Sequence, residues 1–255
     1  ITNTGGFLAS SISGAGLASP YSFKGGTFPG TGGTCSASLT SGSTCTVVVS
    51  YSPLSVATHA DTFELNYNDG LGTQQSTRPL TGQAVAPAVL AVSDGPTYDF
   101  GIIATSGVAE KIFTITNSGS FTASSLSGSG LASPFSFKGG SYPGTGGSCG
   151  ATLNPAASCT VVVRFAPATT GVQTDTIEIS YSDGATAQTA TRGLQGTGAA
   201  AAILTISNGP TYDYGTLANG GSSDRVFTVT NSGGVTASGM NGSGLAAPFS
   251  FKGAS

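Results

Sequence analysis

A chain of 255 residues with a net charge of -3 and only 7% charged residues falls well below the charge content of about 25% usual in soluble proteins. It has no cluster of Lys or Arg, and so lacks the basic footprint that nucleic-acid binding requires. No apolar run reaches the roughly 18 residues that a membrane-spanning helix needs.

The first unit of the chain already carries its organising feature. Ser22-Phe23-Lys24-Gly25-Gly26 is followed by Pro29-Gly30-Thr31-Gly32-Gly33 and Cys35. The same order returns from Ser136 to Cys149 and begins again at Ser250-Phe251-Lys252-Gly253, so Lys24, Lys138 and Lys252 stand 114 residues apart. A fixed long period marks a tandem array. It predicts a repeat lacking its first strands over 1–87, a complete repeat over 88–201, and the N-terminal part of a third over 202–255. The leading expectation is a window on a longer chain. The alternative is completion between neighbours, with 202–255 of one copy supplying the strands that 1–87 of the next lack.

In the complete unit, Val89-Leu90-Ala91-Val92 reads as a first strand, ended by the turn Asp94-Gly95-Pro96. Tyr98-Asp99-Phe100-Gly101 follows. Lys111 to Asn117 then alternates Phe113 and Ile115 with threonines, the mark of a half-buried strand. Ser118-Gly119 turns the chain. Ser124 to Leu131 is Ser/Gly-rich, and Phe135 and Phe137 alternate towards Lys138. After the Gly-rich loop and Cys149, Leu153 to Ser158 makes a turn. Thr160 to Phe165 is a strand stopped by Pro167, and Thr174 to Tyr181 is another. Asp183-Gly184 signals a hairpin, and Thr189 to Leu194 returns. About seven strands and no helix predict an all-β antiparallel sandwich.

The four cysteines form two pairs at ten-residue spacing, Cys35 with Cys45 and Cys149 with Cys159. The spacing suits neither a redox CxxC nor a zinc knuckle. A disulfide across a short loop is the simplest account and implies an exported protein; four buried free thiols are the alternative.

The ordered set Phe100-Gly101, Phe113-Thr114-Ile115-Thr116-Asn117-Ser118-Gly119, Cys149, Ala157-Ser158-Cys159-Thr160-Val161, Phe165-Ala166-Pro167 and Leu194-Gln195-Gly196-Thr197-Gly198 resembles a known family. It is similar to the ASH-type (choice-of-anchor) immunoglobulin-like repeats of large bacterial exported proteins. The resemblance covers each unit and implies a seven-stranded sandwich related to PapD-like folds. It also implies a surface, stalk or adhesive role, with no catalytic residues to carry over.

Candidate site residues follow from recurrence. Lys24, Lys138 and Lys252 read either as a ladder of binding lysines along one face or as solvated ends of an aromatic strand; the second is favoured. An intramolecular cross-link from these lysines is a minor third reading. Tyr21, Phe28, Phe135 and Tyr142 would accompany the lysines in a glycan- or partner-binding array. Asp61, Glu64, Asp69 and Asp99 recur as Asp175, Glu178, Asp183 and Asp213. Calcium would need several of them to converge, and Asp69 and Asp183 read better as turn residues. Arg78 and Arg192 are expected to pair with one of these carboxylates. His59 has no counterpart, its equivalent being Gln173. No catalytic triad, phosphate loop or metal cluster is read, and no cofactor is expected.

The functional expectation is a non-catalytic structural segment of an extracellular bacterial stalk, fibre or adhesin, with neighbouring repeats as partners. An adhesive module binding surface glycans or proteins is the second reading. A filament subunit completed by strand donation is the third.

Overall fold

The computed structural model describes residues 1–253, and every regular element in them is a β-strand. The chain divides into two compact units, Ile1–Ala86 and Pro87–Ser255. The division falls one residue before the boundary read between 87 and 88, and residues 202–253 do not separate as a unit of their own.

The first unit contains β1 (Ala9–Ala15), β2 (Tyr21–Phe23), β3 (Ser38–Leu39), β4 (Val49–Tyr51), β5 (Thr58–Asn68) and β6 (Thr73–Gln83). They form a four-stranded sheet in the order β3-β1-β5-β6 and a separate β2-β4 pair. Phe63 and Leu65 of β5 pack with Ala9, Ile12, Leu39 and the cysteine pair Cys35 and Cys45.

The second unit opens with β7 (Leu90–Val92), β8 (Thr97–Ala104), β9 (Ala109–Asn117), β10 (Ala123–Ser129), β11 (Phe135–Phe137) and β12 (Thr152–Leu153). It continues with β13 (Ser158–Phe165), β14 (Gly171–Ser182), β15 (Ala187–Ala199), β16 (Leu204–Ile206) and β17 (Val229–Asn231). Residues 88–199 make a sandwich of two sheets, ordered β12-β10-β14-β15-β8 and β11-β13-β9-β7. Period-two alternation puts Phe113 and Ile115 of β9, Val161, Val163 and Phe165 of β13, and Ile177 and Ile179 of β14 into the shared core, all at 0% exposure.

The sandwich differs from the expectation in three ways. It has nine strands where about seven were read. Its ladders are antiparallel except one, because β8 runs parallel to β15 from Gly193 opposite Thr97 to Ala199 opposite Ala104. The Ser/Gly-rich stretch is also a strand: β10 pairs with β14, and its register shifts between Ser124 and Ser127, where Ser125 has a φ of 55°. That bulge costs β10 the clean alternation by which its neighbours were read.

The first unit repeats this construction at the same offset. Gly14 faces Leu65 as Gly128 faces Ile179, and the register shifts between Ser10 and Ser13 as it does in β10. Both glycines lie under rings, those of Phe23 and Phe28 at Gly14 and of Phe137 and Tyr142 at Gly128, where a Cβ would collide.

Residues 204–231 repeat the opening ladder. Leu204, Thr205 and Ile206 of β16 face Asn231, Thr230 and Val229 of β17, as Leu90, Ala91 and Val92 of β7 face Asn117, Thr116 and Ile115 of β9. Here the strands are exposed throughout.

Candidate functional site

The stretch that recurs three times, Ser-Phe-Lys-Gly, leads into a loop held by the backbone. Phe137 ends β11, and the chain then folds back along β13. The Lys138 amide donates to the Val162 carbonyl at 2.9 Å, and Val162 returns a bond to the Pro143 carbonyl at 2.8 Å. The Thr145 amide closes the loop onto the Lys138 carbonyl at 2.7 Å. Gly144 sits at a φ of +88° with its α-carbon against the Val162 carbonyl, so a side chain there would meet both steric and conformational obstacles. The amides of Ser148 and Cys149 both reach the Thr160 carbonyl. The Gly-rich loop is therefore backbone-bonded along its length.

The loop is closed covalently. Cys149 is joined to Cys159 and Cys35 to Cys45, with Cα–Cα distances of 4.9 and 4.8 Å. No cysteine is free among the described residues, so the free-thiol alternative falls. All four are buried within the cores.

The three lysines do not share one environment. Lys138 pairs with Glu110 of β9 at 2.7 Å, and Lys252 pairs with Asp224, the residue 114 positions after Glu110. The Asp224 carboxylate holds the Lys252 ammonium above its ordinary pKa. Lys24 has no ion-pair partner among the described residues, and its counterpart of Glu110 would fall before Ile1. Two open depressions lie on the 88–199 sandwich, one over Ser125, Ser180 and Thr189 and one beside Pro134 and Arg164. Lys138 lines neither.

Burial corrects two of the four aromatics of the expected array, Tyr21 and Phe135. Phe135 is 1% exposed and stacks on Phe165 with centroids 4.7 Å apart. Tyr21 is buried against Tyr51, and its hydroxyl donates to the His59 carbonyl at 3.1 Å. Phe28 and Tyr142 are half-buried, each edge-on to the ring of Phe23 or Phe137. Alternation placed all four beside the loops but could not show that the loops fold over them.

The recurrent carboxylates bind the chain itself. Asp183 accepts the amides of Ala185 and Thr186 at 2.8 and 2.7 Å and the Gln188 side chain at 3.0 Å. Asp69 does the same with Leu71, Gly72 and Gln74. In both, the amides hold the carboxyl below its ordinary pKa, those of Thr186 and Leu71 most strongly. Asp61 and Asp175 accept the amides of Ala18 and Ala132, each at 2.8 Å. Asp99 and Asp213 each cap an amide two residues on, at Gly101 and Gly215. Glu64 accepts the Gln75 side chain at 3.1 Å. Among the described residues, no group of three or more His, Cys, Asp or Glu side chains is placed to hold a metal ion.

The arginine expectation is also corrected. Among the described residues neither Arg78 nor Arg192 has a carboxylate partner. Arg192 instead donates to the Val92 carbonyl, stitching β15 to the other sheet, while Arg78 lies exposed on β6. His59 bonds the Tyr51 hydroxyl through Nδ1 at 2.9 Å and approaches Ser55 through Nε2 at 3.3 Å.

Two groups escaped the sequence reading. Lys111 lies over the Tyr98 ring at 4.7 Å and pairs with Asp94 at 2.9 Å. Hydrogen bonds from Ser93 and then Lys111 hold the Asp94 carboxyl below its ordinary pKa, and Asp94 raises that of Lys111. Asn117 is fully buried. Its amide nitrogen donates to the carbonyls of Phe121 and Leu153 at 2.8 and 3.0 Å, and its oxygen accepts the amides of Val89 and Gly119 at 3.2 and 3.0 Å. Asn3 bonds Phe7, Leu39 and Gly5, and Asn231 bonds Val235, Ile203 and Gly233, in the same way. The recurrence of this asparagine at the 114-residue offset was the available signal.

Comparison with known proteins bears on the same segment. A family model described as "HYDIN/CFA65/VesB-like, Ig-like domain" matches residues 89–197. No curated protein matches the chain. Among solved structures, the VesB protease of Vibrio cholerae is similar at 19% identity and a TM-score of 0.35, over 44% of this chain and 32% of that one. The chain thus spans about a third of that structure. The ASH/PapD-like domain 7 of human CEP192 is similar at 17% identity and a TM-score of 0.34, over 49% of this chain and 93% of that domain. A Porphyromonas gingivalis protein of unknown function is similar at 12% identity and a TM-score of 0.33, over 76% and 87% of the two chains. The chain is an all-β protein that over residues 89–197 is similar to the HYDIN/CFA65/VesB-like immunoglobulin-like domains.

Proposed function

We propose that this chain is a structural segment of an extracellular stalk, fibre or large adhesin, whose immunoglobulin-like units supply length and rigidity and carry no catalytic site. One observation carries the reading: the recurrent polar residues are engaged with the chain's own framework. Lys138 holds Glu110, Asp183 holds a turn, Asp175 holds a loop and Asn117 holds four backbone groups. A binding face would leave such groups converging on open space. The two disulfides support an oxidising compartment, and hence export.

Strands of eight to thirteen residues, as in β13 to β15, give a unit about 30–40 Å long at about 3.3 Å per residue. Burial of Tyr21 and Phe135 weakens the adhesive alternative. The test is a glycan array and a panel of surface proteins probed with the purified chain, beside single-molecule pulling. The expected result is a silent array and a cooperative unfolding event that lengthens by about 30 Å once the ten-residue disulfide loop is reduced. Saturable binding on the array would overturn the stalk reading in favour of the adhesive one.

A further inference from the structure

One turn of the chain occurs twice at the 114-residue offset with a change of charge. Ser93-Asp94-Gly95-Pro96 follows β7, and Ser207-Asn208-Gly209-Pro210 follows β16. Asp94 and Asn208 are both exposed and both left-handed, at φ of 61° and 73°, a conformation that aspartate and asparagine adopt more readily than most residues. The hydroxyl before each accepts an amide from the facing strand region. Ser93 takes that of Thr114 at 3.0 Å, and Ser207 that of Thr228 at 2.9 Å.

A cation closes each turn from the same position. Lys111 donates to Asp94 Oδ1 at 2.9 Å and lies over the Tyr98 ring at 4.7 Å. Arg225, at the matching position, donates to Asn208 Oδ1 at 2.8 Å and lies over the Tyr212 ring at 5.0 Å. The Asn208 amide nitrogen donates to the Ser207 hydroxyl at 3.1 Å, where Asp94 accepts from that of Ser93 at 2.6 Å. Asn208 therefore stands in a carboxylate's place, with a full positive charge on its oxygen.

The next residue supplies a nucleophile. A glycine leaves its backbone nitrogen free to approach the preceding side chain, because no Cβ stiffens or crowds the peptide. Gly209 stands in open space, with no heavy atom within 4 Å of where a Cβ would lie. A guanidinium on Oδ1 polarises the side-chain carbonyl and stabilises the charge that grows on that oxygen under attack.

We propose that Asn208 is a site of spontaneous deamidation, by which the 207–210 turn acquires the charge that the 93–96 turn already carries. The Gly209 nitrogen attacks Asn208 Cγ and gives its proton to solvent. The Cγ–Nδ2 bond breaks, ammonia leaves, and a cyclic imide remains. Water then opens the ring at Cγ to give aspartate, or at the backbone carbonyl of residue 208 to give isoaspartate; no oxidant or reductant takes part. The aspartate product meets Arg225 as Asp94 meets Lys111, so a neutral hydrogen bond becomes an ion pair. Asn219-Gly220 and Asn241-Gly242 share the dipeptide, but among the described residues no cation bonds either asparagine. The site goes beyond the stalk reading and does not depend on it.

The test holds the full chain in warm, mildly alkaline buffer and follows its peptides by mass spectrometry, where each event adds about 1 Da. Asn208 should convert roughly tenfold faster than Asn219 or Asn241. Arg225→Ala should abolish that lead, and Arg225→Lys, which keeps the charge, should retain most of it. In Asp94→Asn the same conversion should appear at position 94, where Lys111 and Gly95 are already in place within the closed sandwich. Conversion of Asn208 no faster than that of the other two would overturn the proposal. So would a lead that survives Arg225→Ala, or an inert asparagine at position 94.

Discussion

Residues 1–86 and 88–199 carry closely related sequences and differ in which strands are covered, first of all at the apolar edge that follows the disulfide. In the second region β9 covers it, and Val161, Val163 and Phe165 are wholly buried in an eight-residue strand. In the first, the matching Val47, Val49 and Tyr51 are half-exposed and only three residues adopt strand geometry. The same side chains thus become core or surface according to a neighbour distant in sequence, because alternation assigns a face and only pairing buries it. β6 shows the same effect on the other sheet: it is exposed along most of its length, whereas β15, paired with β8, buries every second residue over its last half.

Core truncation should break the comparison most strongly. Phe165→Ala removes a ring packed on Phe100 and Phe135 and should cost roughly 3–5 kcal/mol of the 88–199 transition. Tyr51→Ala, at the matching position, should cost well under half as much by calorimetry. Equal losses would show that both edges are covered in solution.

The buried asparagine comes next. Asn117→Ala leaves two carbonyls and two amides around its buried site without their partner, for a loss of roughly 2–4 kcal/mol. Asn3, which holds three such groups nearer the surface, should matter less in chemical denaturation.

These two residues also show what was legible in the sequence. β9, β13 and β14 could be read directly, since Phe113, Ile115, Val161, Val163, Ile177 and Ile179 alternate with polar neighbours. β10 could not: a Ser/Gly run offers no apolar contrast, and the shift at Ser125 breaks its period. The parallel β8–β15 pairing leaves no local mark, because it joins residues about a hundred positions apart. Asn117 reads in the sequence only as the polar end of a strand, and its burial depends on carbonyls from Phe121 and Leu153. The Lys138–Glu110 pair was hidden by a gap of 28 residues, although Lys252 and Asp224 repeat that gap. Burial of Tyr21 and Phe135 was hidden for the converse reason: a loop that is flexible in composition is rigid once it is hydrogen-bonded and cross-linked.

A pH titration offers a smaller, more selective probe. The folded pKa of Asp183 lies below its unfolded value, so its contribution is complete above about pH 4, the ordinary carboxylate range. It is lost as pH falls through the depressed folded value. Melting temperature should therefore drop on acidification below that range, and Asp183→Asn should flatten the part of the drop due to this turn. An unchanged acid profile in Asp183→Asn would mean that the turn does not contribute.

The least perturbing change is expected at Tyr142, whose buried hydroxyl has no hydrogen-bond partner among the described residues. Phenylalanine occupies the matching position 28. Tyr142→Phe should be neutral or stabilise by up to about 1 kcal/mol, and a clear loss of stability would reveal a partner for that hydroxyl.

The central claim is that one neighbouring strand decides whether this edge is core. Hydrogen exchange on the dilute, monomeric chain tests it most directly. Amides from Val161 to Phe165 should exchange only through unfolding of the sandwich, and those of Val47, Val49 and Tyr51 should exchange orders of magnitude faster. Equal, strong protection of both stretches in the dilute monomer would contradict the account.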